Sequence, residues 1–68
     1  MARKNVLAEN LKKARARQGL QQRVVAVLAD VQPANLSRYE TGKKNPNLAT
    51  LARLAKALGT TPSKLLSA

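Results

Sequence analysis

The 68-residue chain contains no cysteine and no histidine. Disulfide bonds are therefore excluded, and a zinc site would lack its usual ligands. Tyr39 is the only aromatic residue, so the chain has no set of rings on which unpaired bases could stack. No apolar run approaches the roughly 18 residues that a membrane-spanning helix needs. We therefore expect a domain held together by packing alone, without a metal or another cofactor and without a membrane partner.

Acidic residues are also few: Glu9, Asp30 and Glu40 stand against 13 lysines and arginines, which gives a formal net charge of +10. Such an excess is far larger than solubility requires of a small domain, and it indicates a polyanionic partner, most simply nucleic acid. The three carboxylates are well separated in sequence, and no histidine or cysteine accompanies them. We therefore predict that the protein is not an enzyme.

Alanine, leucine and valine supply nearly all of the apolar residues, which favours helices over strands. Their spacing predicts an all-α, compact five-helix bundle that forms a single domain over residues 1–68. Residues 1–4 are expected to form a flexible basic arm. The predicted helices run from Asn5 to about Arg17, from about Gln21 to Leu28, from Pro33 to about Glu40 or Thr41, from Asn47 to Gly59, and from Thr61 or Pro62 through Leu66.

Helix two carries apolar residues on two sides, so its periodicity leaves two orientations open. The inward-facing residues are Gln22, Val25, Ala26 and Ala29 in one orientation, and Leu20, Val24, Leu28 and Val31 in the other. In the first orientation, an apolar stripe of Val24, Val27 and Leu28 lies on the outside. We expect this stripe to reflect either a variant of core packing or a contact with a second copy or with another protein.

Helices two and three are joined by about four residues, which is the spacing of a helix-turn-helix over about residues 22–41. The second helix of such a motif enters the major groove of double-stranded DNA, and its outward face here should carry Ala34, Asn35 and Arg38. Arg38 can donate two hydrogen bonds to guanine, Asn35 can pair with adenine, and Ala34 can pack on a thymine methyl group. Together with Gln32, just before the helix, these are the predicted base-reading residues.

Phosphate contacts are expected at three places around that helix. They are the start of helix two, where backbone amides attract anions, the end of helix three with its basic loop, and the N-terminal arm. Contacts of this kind orient a protein on DNA without reading its sequence. The predicted phosphate-binding residues are Gln21, Gln22, Thr41, Lys43, Lys44, Asn45, Arg3 and Lys4.

In their order and spacing, several segments resemble the lambdoid phage repressor and Cro type of helix-turn-helix, which is also seen in many small bacterial regulators. These segments are residues 11–15, 19–22, 25–26, 36–42, 45–46 and 51–59, and the resemblance covers residues 11–66. It implies a sequence-specific regulator of transcription, of the repressor kind, that binds a palindromic operator in double-stranded DNA as a homodimer. Leu65 and Leu66 are candidates for the dimer interface. The resemblance also implies that Arg15 pairs with Glu40 and lies between helix one and a phosphate.

The sequence departs from the family pattern at three places. Asp30 occupies the turn position that usually holds glycine. Pro33 stands at the first position of helix three, where its missing N–H cannot serve in reading a base. The outward side of helix two, usually polar, is formed here by the apolar stripe. The departures at Asp30 and on helix two limit what can be carried over from the family, and Pro33 limits what the resemblance implies about the operator sequence.

Two other functions stay open beside transcriptional regulation. One is binding to nucleic acid of another kind: either to RNA or single strands, which the shortage of aromatic residues disfavours, or to any nucleic acid without sequence preference. The other is a protein-interaction module, such as an antitoxin-like subunit, with the apolar stripe as its contact and DNA binding secondary. The opening Met1-Ala2-Arg3-Lys4-Asn5 and the absence of disulfides favour a cytoplasmic, nucleoid-associated protein.

Overall fold

Five α-helices make up residues 5–67, which are the residues that the computed structural model describes. They are α1 (Val6–Gln18), α2 (Gln22–Leu28), α3 (Pro33–Glu40), α4 (Leu48–Ala57) and α5 (Pro62–Leu66). No strand occurs in this part of the chain, so the prediction of an all-α five-helix fold is confirmed. The predicted arm, with Arg3 and Lys4, lies outside the described residues.

Side chains that the sequence placed at helix starts do cap them. Asn5 accepts a hydrogen bond from the Ala8 amide at 2.9 Å at the start of α1. Asn47 accepts one from the Thr50 amide at 2.8 Å at the start of α4. Each cap satisfies a backbone donor that the first turn of a helix leaves unpaired. These local bonds fix where the helices begin.

Three of the helices end at a glycine in the left-handed conformation, and α2 does so at an aspartate. Asp30 has a φ of 55°. Its amide donates to the Val27 carbonyl at 3.2 Å, and the Val31 amide donates to the Ala26 carbonyl at 2.8 Å. This pair of bonds is the Schellman closure, which favours glycine because a β-carbon is strained there. An aspartate tolerates that backbone better than most residues, but at some cost in stability.

The core lies where α1 packs against α3 and α5 while α2 packs against α3 and α4. Its buried apolar residues are Leu11, Val25, Ala26, Ala29, Leu36, Tyr39, Leu51, Leu54, Ala55, Leu58 and Leu65. Burial of one leucine side chain stabilises a fold by about 1.5–3 kcal/mol. Because the chain has no cysteine and so no disulfide bond, the burial of this cluster supplies most of the stability of the fold.

Two apolar residues do not lie where the pattern of the sequence suggested. Leu48 shares the spacing of three and four residues that the apolar residues of α4 follow, yet it is exposed, because it is the first residue of the helix and precedes the turn that reaches the core. Leu65 was expected at a dimer interface, but it is 1% exposed and belongs to the core. That expectation is wrong for Leu65, and Leu66 alone of the two is exposed.

The orientation of α2 is resolved by burial. Val25, Ala26 and Ala29 face the core, whereas Val24, Val27 and Leu28 are 38%, 78% and 60% exposed. The alternative orientation is therefore wrong, and so is the explanation of the stripe as a variant of core packing. The physical reason is size, since the two alanines let the backbone of α2 approach its neighbours more closely than valine and leucine would.

Candidate nucleic-acid interface

The turn between α2 and α3 is held from both sides. Gln32 is the extended residue before α3, and Pro33 begins that helix, where its missing N–H costs nothing. On the other side, Arg53 of α4 donates from Nε to the Ala29 carbonyl at 2.9 Å. This bond satisfies a carbonyl at the end of α2 with a cation, which is favourable at a helix C-terminus. No local pattern indicates this role of Arg53, because the partner is 24 residues away in the chain.

One face of α3 is buried and the other is open to solvent. Leu36 and Tyr39 lie in the core. The predicted base-reading residues lie on the opposite side, where Gln32, Ala34 and Arg38 are exposed and Asn35 is half-buried. We call these four residues the reading face. The structure thus brings together, on one outward surface, all four residues that were predicted to read bases.

Arg38 is the one cation among the four residues of the reading face. Its side chain is exposed and makes no hydrogen bond or ion pair with any described residue, so every guanidinium donor is available. Asn35, one helical turn earlier, accepts from Lys44 Nζ at 3.5 Å, which is a weak contact. Both side chains can therefore turn toward a ligand without giving up a strong bond.

A partly buried ion pair fixes the end of α3. Glu40 is 3% exposed. Its two carboxylate oxygens accept from Arg15 Nε at 2.8 Å and from Arg15 Nη2 at 2.9 Å, and Oε1 also accepts from Gln22 Nε2 at 3.1 Å. The hydrogen bond to Glu40 raises the pKa of Arg15 above its ordinary value, and burial opposes this in part. One carboxylate therefore joins α1, α2 and α3.

The hydrogen bonds to Glu40 leave Arg15 and Gln22, two predicted phosphate ligands, with fewer free donors. Arg15 also donates from Nη1 to the Leu20 carbonyl at 3.2 Å, so three of its five donors point into the protein. Gln22 directs one amide hydrogen to Glu40 and keeps the other. Both side chains are half-buried, Arg15 on α1 and Gln22 at the start of α2. Their contact with phosphate stays a prediction, and their contact with each other through Glu40 is structural.

The basic loop after α3 is exposed. Gly42 has a φ of 77°, and the Lys43 amide donates back to the Arg38 carbonyl at 2.9 Å. This closure points Lys43, Lys44 and Asn45 into solvent at the end of the reading helix. A β-carbon at position 42 would come within 3.0 Å of the Asn5 side-chain nitrogen, so the start of α1 lies beside this loop.

The two remaining predicted phosphate ligands are engaged in local contacts. The Thr41 hydroxyl donates to the Ser37 carbonyl at 3.0 Å, so it would have to leave that bond to donate to a phosphate. Gln21 precedes α2 without capping it, and its Oε1 accepts from Arg23 Nε at 3.2 Å. Arg23 is exposed in the first turn of α2. Arg23 was not among the predicted phosphate-binding residues, although its place two residues after Gln21 was a signal.

The described residues hold no group of three histidine, cysteine, aspartate or glutamate side chains able to bind a metal ion. Nor does any helix within residues 5–67 combine the length and the apolar character needed to cross a bilayer.

Comparison with known proteins agrees with this geometry. The sequence matches the model of the helix-turn-helix family over residues 11–65. The chain belongs to the helix-turn-helix family. The resemblance to repressor-type proteins that the sequence suggested is thereby confirmed. No curated protein sequence matches this helix-turn-helix protein significantly.

Solved structures of regulators superimpose on this helix-turn-helix protein. The restriction-modification controller protein C.AhdI from Aeromonas hydrophila is 29% identical, with 87% of this chain and 89% of that chain covered and a TM-score of 0.83. The P22 c2 repressor, crystallised in complex with synthetic operator 9T, is 25% identical over 94% and 97% of the two chains, with a TM-score of 0.87. The clp gene regulator ClgR from C. glutamicum is 33% identical over 90% and 79%, with a TM-score of 0.83.

Proposed function

We propose that this chain is a transcriptional regulator of the repressor kind that binds double-stranded DNA sequence-specifically by inserting α3 into the major groove. The reading face carries this proposal, because an unpaired arginine, two amides and a small apolar side chain stand together on one exposed helix surface. They can recognise guanine, adenine and thymine by the contacts that the major groove offers. The regulators that superimpose on this chain support the same function.

Two further groups complete the proposed interface. Lys43, Lys44 and Asn45 follow the reading helix and contact the phosphates on one side of it, while Gln21 and Gln22 at the start of α2 contact those on the other. The Arg15–Glu40 pair does not read DNA. It fixes the orientation of α3 relative to α1, and so determines whether the reading face reaches the bases.

The proposed operator is two-fold symmetric, and two copies of the chain bind it with their reading helices about one DNA turn, roughly 34 Å, apart. Leu66, exposed on the last helix, is a candidate contact between the two copies. A chromosomal operator places the protein on the nucleoid in the cytoplasm. The proposal assigns no catalytic step, and the protein acts by occupying DNA.

The test is a selection of bound duplexes from a random DNA pool at near-physiological salt, with competing RNA present. We expect a short, two-fold symmetric motif to be enriched. The same selection with Arg38→Ala should lose the preference at one base pair in each half of that motif. If no motif is enriched, or if RNA abolishes the binding of duplex DNA, the assignment to a sequence-specific regulator is wrong.

A further inference from the structure

The outward side of α2 is apolar where most helix surfaces are polar. Val24, Val27 and Leu28 lie side by side there, and we call them the α2 outer surface. With Arg23, they line one shallow groove. Leu28 also borders a second groove, of about 470 Å³, together with Lys56 and Ala57 of α4. Single exposed apolar residues are ordinary, but three adjoining ones on the solvent side of a helix form a patch, and such patches often mark a binding surface.

The charges around this patch are mostly positive. Arg23 lies at one edge of the α2 outer surface, and Arg53 and Lys56 line the neighbouring groove. Asp30 is the one carboxylate that lines that groove in the described part of the chain. Since the guanidinium of Arg53 is partly used by Ala29 and Thr50, Arg23 and Lys56 are the cations with most freedom to meet a ligand. The patch is thus an apolar strip with a cationic border.

DNA is a poor occupant for this strip. Valine and leucine side chains offer nothing to a phosphate, and the reading face presented by α3 is a different surface. A second copy is also a poor occupant. Of the three carboxylates in the chain, Glu40 is buried and only Asp30 lines the groove beside this surface, so a second copy would bring more cations than carboxylates against Arg23 and Lys56.

We propose that the α2 outer surface docks an acidic amphipathic helix of another protein. Apolar side chains of that helix lie on Val24, Val27 and Leu28, and its carboxylates meet Arg23 and Lys56. The size of the surface agrees with such a ligand, because three side chains offer a few hundred Å² at most, less than the about 800 Å² per partner of a standard protein interface. A single helix seated on an apolar strip is a recurrent mode of recognition. The proposal goes beyond DNA binding and does not depend on it.

The experiment selects ligands for the full chain from a displayed library of helical peptides with randomised surface positions. We expect the enriched peptides to combine apolar residues at helical spacing with aspartate and glutamate. Their affinity, measured by fluorescence anisotropy, should fall at least tenfold for the double variant Val27→Ser with Leu28→Ser, which keeps the charge of the protein. The matched control replaces two exposed apolar residues of α4, Leu48→Ser with Ala52→Ser, and should leave the affinity unchanged.

Two further variants test the border and guard against misfolding. Lys56→Gln should weaken the acidic peptides severalfold, whereas Lys12→Gln, an exposed lysine of α1, should not. Val27→Thr is nearly isosteric and still removes apolar surface. If circular dichroism shows the double variant to be unfolded, the affinity of Val27→Thr for the peptides tests the proposal instead.

Several outcomes would overturn the proposal. They are a selection that enriches no peptide, enriched peptides without acidic residues, and peptides that bind the double variant as well as the original chain. Sedimentation that showed a dimer dependent on Val27 and Leu28 would assign the surface to a second copy instead. Unchanged binding of operator DNA by the double variant would confirm that the two surfaces are separate.

Discussion

Removal of Arg15 should leave the Glu40 carboxylate buried without its main partner. Breaking a buried ion pair by deleting one member costs about 3–5 kcal/mol, because the remaining charge stays desolvated. The Arg15 side chain is 26% exposed, so water can reach the vacated space in part. We therefore expect Arg15→Ala to lower the free energy of unfolding by about 2–3 kcal/mol. A domain of this length has only about 3–10 kcal/mol in total, so the variant should be markedly less stable.

Further variants separate the contribution of charge to this loss of stability from that of hydrogen-bond geometry. Arg15→Lys keeps a cation but cannot donate two parallel hydrogen bonds to one carboxylate, so it should lose about 1 kcal/mol. Arg15→Met combined with Glu40→Leu removes both charges and fills the site with apolar side chains, so it should lie within about 1 kcal/mol of the original protein. The pair should therefore show a coupling energy of about 2 kcal/mol in a double-mutant cycle.

Urea denaturation followed by far-ultraviolet circular dichroism measures these differences. Arg17→Ala is the matched control, since Arg17 is an exposed arginine of the same helix and should change stability by less than about 0.5 kcal/mol. If Arg15→Ala were no more destabilising than Arg17→Ala, or if the losses from Arg15 and Glu40 were simply additive, the account of a buried carboxylate joining three helices would be refuted.

Three further predictions concern DNA and the turn. Arg38→Ala should weaken binding to the selected operator by about 1–3 kcal/mol at unchanged thermal stability, while Arg17→Ala, with the same loss of charge, should not; equal effects in a titration would remove Arg38 from the reading face. Lys43→Ala and Lys44→Ala should weaken binding to all duplexes and reduce the slope of log affinity against log salt by about one unit each, and a loss confined to the operator would make them base readers instead. Asp30→Gly should raise the free energy of unfolding by about 0.5–1 kcal/mol and Asp30→Ala should lower it, because the left-handed backbone strains a β-carbon; equal stabilities on denaturation would contradict this.

Helix limits were predictable because their causes are local. Asn5 and Asn47 cap the helices that follow them, and the proline at position 33 begins α3 as its fixed φ and missing N–H predict. The reading face was predictable for a similar reason. Once Leu36 and Tyr39 are assigned inward, helical periodicity leaves only one direction for Arg38.

Features that depend on contacts between distant segments were not predictable. Two apolar sides of α2 have the same period, and only the small size of Ala26 and Ala29 against neighbouring helices determines which is buried. No role for Arg53 follows from its place on α4, yet its Nε donates to the carbonyl of Ala29 across the fold. Leu65 was a candidate for the dimer interface, but its side chain lies in the core. In each case the deciding partner is far away in the chain.

Every one of the five helices carries at least one exposed lysine or arginine, from Lys13 on α1 and Arg23 on α2 to Lys64 on α5. A molecule that is positive on all its helices is drawn to DNA in almost any orientation, so its first collisions are fast but not aligned. Alignment must come afterwards, while the protein turns and slides along the duplex. Substitutions on the reading face should therefore change how long the protein stays at its operator far more than how often it arrives.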